Sequence, residues 1–159
     1  MNWYKKAEET TVTVTSAEFR AMTWKEKMAL AGNTSISHQT QQLFFTQKYE
    51  RKCYVLRALV RNTSISQQTQ QLFLTQEYEG KGDVLWCLAK NSNIAPETQR
   101  LFFTEPYERK NHVLANLTGN PIFLQNLTTA QWLQIKNAAR GGMRLLVLSK
   151  RLKQIAGVS

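Results

Sequence analysis

The chain has 159 residues, 42% hydrophobic and 20% charged, which is typical of one folded domain and argues against a disordered chain. Its N-terminus lacks the apolar region of a signal peptide, and the longest aliphatic run is Leu145–Leu148. We therefore expect neither export nor a membrane span. The two cysteines, Cys53 and Cys87, then suggest reduced thiols in a cytoplasmic protein.

Residues 1–32 are predicted to form an N-terminal cap on a single domain covering residues 1–159. Alternation in "TTVTVT", residues 10–15, indicates a short strand or an extended arm. Thr23 and Glu26 have the spacing of a capping box. They mark the start of a helix that is equivalent to the second helix of the units that follow.

Residues 33–119 consist of three 29-residue units, which cover 33–61, 62–90 and 91–119. The first two units are identical at 19 positions, and 13 positions are identical in all three. A fixed period of this length is typical of a stacked repeat array.

Each unit is predicted to contain two short antiparallel helices. In the second unit, apolar residues recur at helical spacing over 66–75 and again over 78–89. Ser37 and Ser66 are N-cap candidates, and Pro96 suits the first position of a helix. The sequence therefore predicts an all-α fold, an α-α solenoid of about four such units with helical caps.

Asparagine opens each unit, at positions 33, 62, 91 and 120. It follows the second helix, where the chain must turn, so we expect a left-handed C-cap conformation. Its side chain is expected to bond the turn backbone of its own or the next unit. Because a two-helix layer cannot bury both faces alone, we interpret the asparagine as a structural joint.

Residues 120–159 are predicted to form a degenerate repeat and a basic C-terminal helical cap. Helices are expected over 129–140 and from 143 to about 156, separated by Gly141–Gly142. Residues 109–159 contain eight Lys and Arg and no acid, which gives +8, whereas residues 1–108 have 13 bases and 11 acids, which gives +2. This end favours an anionic partner. The anion-binding candidates are Lys136, Arg140, Arg144, Lys150 and Arg151.

Two segments, "LAKNSNIAPETQRLF" (88–102) and "LTGNPIF" (117–123), resemble the bacterial leucine-rich-repeat variant, whose units read roughly "LAxNPxTPxEVL". The resemblance covers about residues 28–127 and implies a right-handed, HEAT-like superhelix, without indicating an activity. The present unit is longer and has the family's prolines only at Pro96 and Pro121, so we expect a fuller second α-helix. The iron–sulfur site of some family members is not expected, because the chain has no cysteine cluster.

The sequence offers little catalytic chemistry. Asp83 is the only aspartate, His38 and His112 are the only histidines, and neither a metal-ligand motif nor a glycine-rich phosphate loop is present. We therefore predict a protein that is not an enzyme and needs no cofactor, metal or small-molecule substrate.

Comparison between the units separates constant residues, expected to hold the stack, from variable outward residues, expected to contact a partner. On the second helices the outward positions include Ala115 and Gly119 in the third unit. Trp86 is either a binding anchor or a side chain that lies flat over a neighbouring helix. The partner-binding candidates are Tyr54, Arg57, Arg61, Asp83, Trp86, Lys90 and His112.

Two constant polar positions need a separate interpretation. The lysines at 52, 81 and 110 lie near the inward side at the start of the second helix and are expected to extend an aliphatic stem toward solvent. The glutamines at 41, 70 and 99 are expected to point outward from the first helix. They form either a hydrogen-bond ladder between units or a polar strip for a ligand.

These observations favour non-catalytic recognition of a protein with an acidic surface, as an inhibitor or a toxin-immunity-type protein. Nucleic acid is the alternative partner, since helical repeats also bind nucleic acids and the C-terminal end is basic. A membrane partner is not expected.

Overall fold

The computed structural model describes residues 11–125 and 127–138, and over these ranges the chain is all-helical. The extended backbone there forms a single isolated bridge, between Val12 and Ile36, and no strand. The helices are α1 (Ser16–Ala21), α2 (Trp24–Ala31), α3 (His38–Thr46), α4 (Lys52–Val60), α5 (Gln67–Thr75), α6 (Lys81–Leu88), α7 (Pro96–Thr104), α8 (Lys110–Asn116), a 3-10 helix (Leu117–Gly119), α9 (Pro121–Leu124) and α10 (Thr129–Ala138).

Equivalent helices of successive units pack against each other. Among the first helices, α3 packs on α5 and α5 on α7; among the second helices, α2, α4, α6 and α8 follow in a row, and α10 packs on α8. The core lies between the two rows. It contains one fully buried phenylalanine from each unit, Phe44, Phe73 and Phe102.

The first helices begin where the sequence predicts. The hydroxyl oxygens of Ser37 and Ser66 accept hydrogen bonds from the backbone N–H groups three residues later, and Pro96 is the first residue of α7. The second helices begin later than predicted, at Lys81 in the second unit. Tyr78 lies in the preceding loop, where its hydroxyl donates to the carbonyl of Phe73.

The segment predicted as a strand or an arm is an arm over its described part. Val12 donates its N–H to the carbonyl of Ser35 and accepts from the N–H of Ser37. Val14 donates to the hydroxyl of Thr40. Both valines are buried, so the alternation of apolar and polar residues reflects extended backbone that packs against α3 with one side facing the core.

Over its described residues, 11–32, the N-terminal cap contains two helices, of which the sequence predicts only the second. The predicted capping box of Thr23 and Glu26 is present at the start of α2. A second capping box, Thr15 with Glu18, starts the short helix α1. The loop between α1 and α2 has only two residues, whereas five residues join the two helices of each later unit.

The predicted left-handed conformation of the asparagines is wrong. Within the described chain, the only non-glycine residues with positive φ are Arg51 and Arg109, at the N-caps of α4 and α8. The asparagine acts through its side chain. Oδ1 of Asn62 accepts from the N–H of Ser64, and Nδ2 donates to the carbonyls of Ala31 and Asn33, at 2.9 and 2.8 Å.

The same arrangement recurs one and two units later. Asn91 donates to Val60 and Asn62, and Asn120 donates to Ala89 and Asn91. Each of these asparagines therefore joins its own turn to the turn that precedes it in the stack. The sequence pattern instead suggests a bond to its own turn or to that of the next unit. All three are buried.

The glutamines predicted to point outward are buried at positions 41 and 70, because they bond the following unit. Oε1 of Gln41 accepts from the N–H of Ser66 at 2.9 Å and from the hydroxyl of Thr69 at 2.6 Å. Gln70 makes the equivalent bonds to Ala95 and Thr98. Of the two interpretations, the hydrogen-bond ladder between units is the one that the structure contains.

Two of the constant lysines, Lys52 and Lys110, turn their ammonium groups back to the end of the first helix of the same unit. Nζ of Lys52 donates to the carbonyls of Phe45 and Gln47, at 2.6 and 2.9 Å, which caps the C-terminus of α3. Lys110 caps α7 in the same way, whereas Lys81 donates to the carboxylate of Glu77. Burial lowers the pKa of Lys52 and of Lys110. These lysines therefore cap a helix end instead of extending to solvent.

Candidate functional site: the second-helix face

The seven partner-binding candidates lie on α4, α6 and α8 or at their ends, so the side-by-side packing of these helices brings them to one side of the molecule. We call this surface the second-helix face. Five candidates are exposed and two are half-buried. The exposed ones are Tyr54, Arg61, Asp83, Lys90 and His112, and the half-buried ones are Arg57 and Trp86.

One equivalent position departs from the expected outward direction. Ala115, which corresponds to Arg57 and Trp86, is only 3% exposed. This position therefore lies at the margin between the core and the surface, and its exposure grows with the length of its side chain. A large residue such as Trp86 must extend along the surface from this margin.

Trp86 lies at the centre of a small aromatic cluster that crosses from α6 to α8. The Lys90 ammonium lies 3.4 Å from the centroid of the indole. The ring of His112 is stacked at 6.3 Å with an interplanar angle of 13°. Nε1 of Trp86 is buried and, within the described chain, has no hydrogen-bond partner. Trp86 thus stacks on His112 of the neighbouring helix, and the Lys90 ammonium lies over its ring.

An ion pair crosses the same face. Nη1 of Arg109 lies 3.0 Å from Oδ1 of Asp83, and both side chains are more than half exposed. A pair so exposed to water contributes about 0–1 kcal/mol to stability. Its effect on the surface is to neutralise the only aspartate of the chain.

Tyr54 marks the other end of the face and is 56% exposed, which is unusual for a large hydrophobic residue. It borders a groove of about 460 Å³ between the loops of the first two units. Lys48 and Arg51 line one side of this groove, and Glu77 and Glu79 are also among its lining residues. The second-helix face therefore combines aromatic side chains with both signs of charge.

The predicted anion-binding patch is described only in part. Lys136 is exposed on α10, which begins at Thr129 as predicted. Arg140, Arg144, Lys150, Arg151 and the helix predicted from residue 143 lie outside the described residues.

Chemical groups for metal binding or thiol chemistry are sparse in the described part of the chain. Residues 11–125 and 127–138 contain no cluster of three or more His, Cys, Asp or Glu side chains that could hold a metal ion. Both cysteines are free thiols; Cys87 is buried and Cys53 is half-buried, and burial raises the pKa of the Cys53 thiol. The longest described helix has 10 residues, so none of the described helices could cross a bilayer.

Comparison with known proteins adds no relative. The chain matches no family model, no curated protein and no solved structure.

The comparison between units missed a surface that belongs to the N-terminal cap. Lys25 on α2 lies one repeat length before Tyr54, at the equivalent helix position, and Trp24 precedes it. The unit comparison began at residue 33 and so excluded both residues. The 29-residue period, which relates Leu30 to Leu59, would also have related Lys25 to Tyr54 and so identified this surface.

Proposed function

We propose that this chain is a cytoplasmic helical-repeat solenoid, of the leucine-rich-repeat-variant or HEAT-like kind, that recognises a protein partner without catalysing a reaction. The order of helix packing and the regular spacing of the asparagine and glutamine hydrogen bonds support the solenoid. Such repeats bind partners along an extended surface made of equivalent positions from successive units.

The observation that carries the proposal is the state of Trp86. Its indole N–H is buried without an acceptor in the described chain, and the Lys90 side chain lies across its ring. A cation over an aromatic ring at an exposed site contributes only about 0.5–1 kcal/mol. Lys90 can therefore rotate away when a partner approaches, which exposes the face of the indole ring that it covers.

Trp86 also occupies a position at which the three repeat units have different residues. The equivalent residues are Arg57 and Ala115, so the packing between α4, α6 and α8 accepts a long cation or a methyl group at this position. Tryptophan, tyrosine and arginine are the residue types that dominate binding energies at interfaces. A tryptophan at a position that the stack does not require is best explained by a contact outside the stack.

The test compares two tryptophan variants in their binding to proteins of the native host. Trp86→Ala should weaken binding of the captured partner by about 2 kcal/mol or more, measured by titration calorimetry, while the helical circular dichroism is retained. Trp132→Ala, at a half-buried tryptophan of α10 that is not one of the seven residues of the second-helix face, is the matched control. Equal affinities of the parent and Trp86→Ala for every captured partner would refute the assignment of this face.

The narrower proposal is an inhibitor or a toxin-immunity-type protein, which acts by covering a surface of its target. It is supported by the small size of the chain and by its shortage of catalytic groups. The net charge of +10 requires a target with an acidic surface, because a basic nuclease toxin would repel the chain.

Nucleic acid is the second candidate partner, and the observation that favours it is the charge of +8 on residues 109–159. Neutralisation of phosphates releases counterions, so the affinity for a nucleic acid falls steeply with salt. A salt titration against duplex and single-stranded DNA therefore distinguishes the two proposals. Binding with a steep negative slope supports nucleic acid, and undetectable binding at low salt excludes it.

A further inference from the structure

A cleft of about 660 Å³ lies between the N-terminal cap and the loop of the first unit. It follows from the short connection between α1 and α2: two residues there replace the five that join the helices of each later unit. The cap consequently leaves the loop around Lys48, Tyr49 and Glu50 without a full neighbour. The volume falls within the range of about 300–1,000 Å³ found for binding sites.

The charges that line the cleft are unbalanced. Four cations and a single carboxylate contribute to the lining: Arg20, Lys25, Lys27, Lys48 and Glu50. The carboxylate of Glu50 lies 3.8 Å from Nε of Arg51, so it is already partly neutralised. Arg20, Lys25 and Lys48 are exposed, and within the described chain none of the three forms an ion pair. Three exposed cations that have no ion-pair partner in residues 11–125 and 127–138 therefore surround the opening.

The nearby acid on α2, Glu26, takes part in the capping box of this helix and is not among the residues that line the cleft. Oε1 of Glu26 accepts from the backbone N–H of Thr23, and the hydroxyl of Thr23 accepts from the N–H of Glu26. This capping box also occupies backbone N–H groups at the start of α2. An anion in the cleft would therefore contact side-chain ammonium and guanidinium groups. Such groups can bind the carboxylates of a flexible peptide segment.

Arg51, next to the cleft, is held in an unfavourable backbone conformation. Its φ of 56° is left-handed, and the equivalent residue of the second unit is Gly80. An L-residue with a side chain loses about 1–2 kcal/mol in this region. The conformation places the Arg51 guanidinium 4.5 Å from the centroid of the Trp24 ring. The first and third units have an arginine at this left-handed position, Arg51 and Arg109, where the second unit has Gly80; in the first unit the guanidinium lies beside Trp24 at the edge of the cleft.

We propose that this cleft binds acidic side chains of the protein partner, so that the partner's contact runs from the second-helix face onto the N-terminal cap. The assignment rests on the proposed function. Lys25 occupies the position on α2 that Tyr54 occupies on α4, and α2 packs directly on α4. The cleft is therefore continuous with the second-helix face.

An oligoglutamate peptide is the probe, and it is added to the isotope-labelled full chain at low salt and followed by nuclear magnetic resonance. The indole N–H of Trp24 and the backbone amides of Lys25 and Lys48 should shift in a saturable way. The variant Lys25→Gln with Lys48→Gln should bind about tenfold more weakly, because it removes two exposed charge contacts to the peptide. The control variant Arg100→Gln removes a positive charge from α7, outside the cleft and the second-helix face, and should bind like the parent.

Two results would overturn the assignment. In the first, the peptide shifts signals over the whole basic surface and both variants weaken binding equally, which would indicate non-specific attraction. In the second, inorganic pyrophosphate saturates the cleft while the peptide does not, which would make it a phosphate site. Trp86→Ala should leave peptide binding unchanged, so a failure of the cleft and a failure of the second-helix face can be told apart.

Discussion

The asparagine joint makes a quantitative prediction, because the structure provides its own reference position. Asn62 makes three side-chain hydrogen bonds: one within its own turn, to Ser64, and two to the preceding unit, to Ala31 and Asn33. Asn33 is preceded by the shorter cap, and its one described side-chain bond is the one to its own turn, at Ser35. The two residues therefore differ by the two bonds between units.

Replacing Asn62 with alanine removes all three bonds and leaves two carbonyls without their donor. At about 1 kcal/mol for each bond, with buried groups at the upper end, we expect a loss of about 2–3 kcal/mol in the free energy of unfolding. Asn33→Ala should lose about 0.5–1 kcal/mol, because a single, partly exposed bond disappears. Asn62→Asp keeps the acceptor but places an anionic oxygen against two carbonyls, so it should be at least as destabilising as alanine.

Urea denaturation followed by circular dichroism measures these differences, and an unchanged slope with urea shows that the unfolded reference state is the same. Equal losses for Asn33→Ala and Asn62→Ala would refute the reasoning, since the bonds between units would then contribute nothing. A loss for Asn62→Ala below that for Asn33→Ala would indicate that the two carbonyls are well solvated.

Three further predictions concern stability. Burial raises the pKa of one loop tyrosine in each unit: Tyr49, Tyr78 and Tyr107. Their contribution to stability is therefore complete below the unfolded pKa of about 10 and is lost as pH rises above it. The smaller, opposite pKa shifts of Lys52 and Lys110 should not prevent a fall in the urea midpoint between about pH 9 and 11, and a flat profile would contradict the prediction. Gly80→Ala should destabilise the chain by about 1–2 kcal/mol in a Cys53→Ala background, because φ is positive there, and by more in the parent, since an added Cβ would also clash with the Cys53 sulfur; equal losses in both backgrounds would exclude the steric part. Gln70→Leu should cost about 1–3 kcal/mol by removing the acceptor from Thr98 and Ala95, and an unchanged urea midpoint would show that water replaces it.

The helices of the repeat units could be predicted because their signals are local. Ser37, Ser66 and Pro96 mark helix starts through bonds or constraints within one turn of the chain, and all three are found as predicted. The beginnings of the second helices could not be read in the same way. They depend on left-handed residues at Arg51 and Arg109, and arginine carries no signal for that conformation.

The polar joints were recognised as important but were given the wrong geometry. The periodicity identified Gln41, Gln70 and Asn62 as constant, yet a helix-face argument treats glutamine as a surface residue. Their direction depends on acceptors and donors 23 to 31 residues away, on the neighbouring unit. Only the packed structure brings those groups together.

The sequence predicted where the residues of the candidate site lie, but not which of their side chains contact each other. The variable residues of α4, α6 and α8 do share one side of the molecule, because equivalent positions recur at a constant step along the chain. The stacking of His112 on Trp86 and the pairing of Asp83 with Arg109 join residues of different units at 26 residues' separation. Nothing in the linear pattern distinguishes these pairs from neighbours that fail to touch.

The hydrogen bonds between units also bear on how such a chain can lengthen. Each turn bonds backward to the preceding turn through its asparagine, and the first helices bond forward to the next first helix through Gln41 and Gln70. A duplicated unit inserted at the boundary before Asn62 would bring its own asparagine, glutamine and threonine, and so both halves of every joint it needs. Gene duplication can therefore extend the array in register without any compensating change elsewhere, and the close identity of the units 33–61 and 62–90 is what a recent event of that kind would leave.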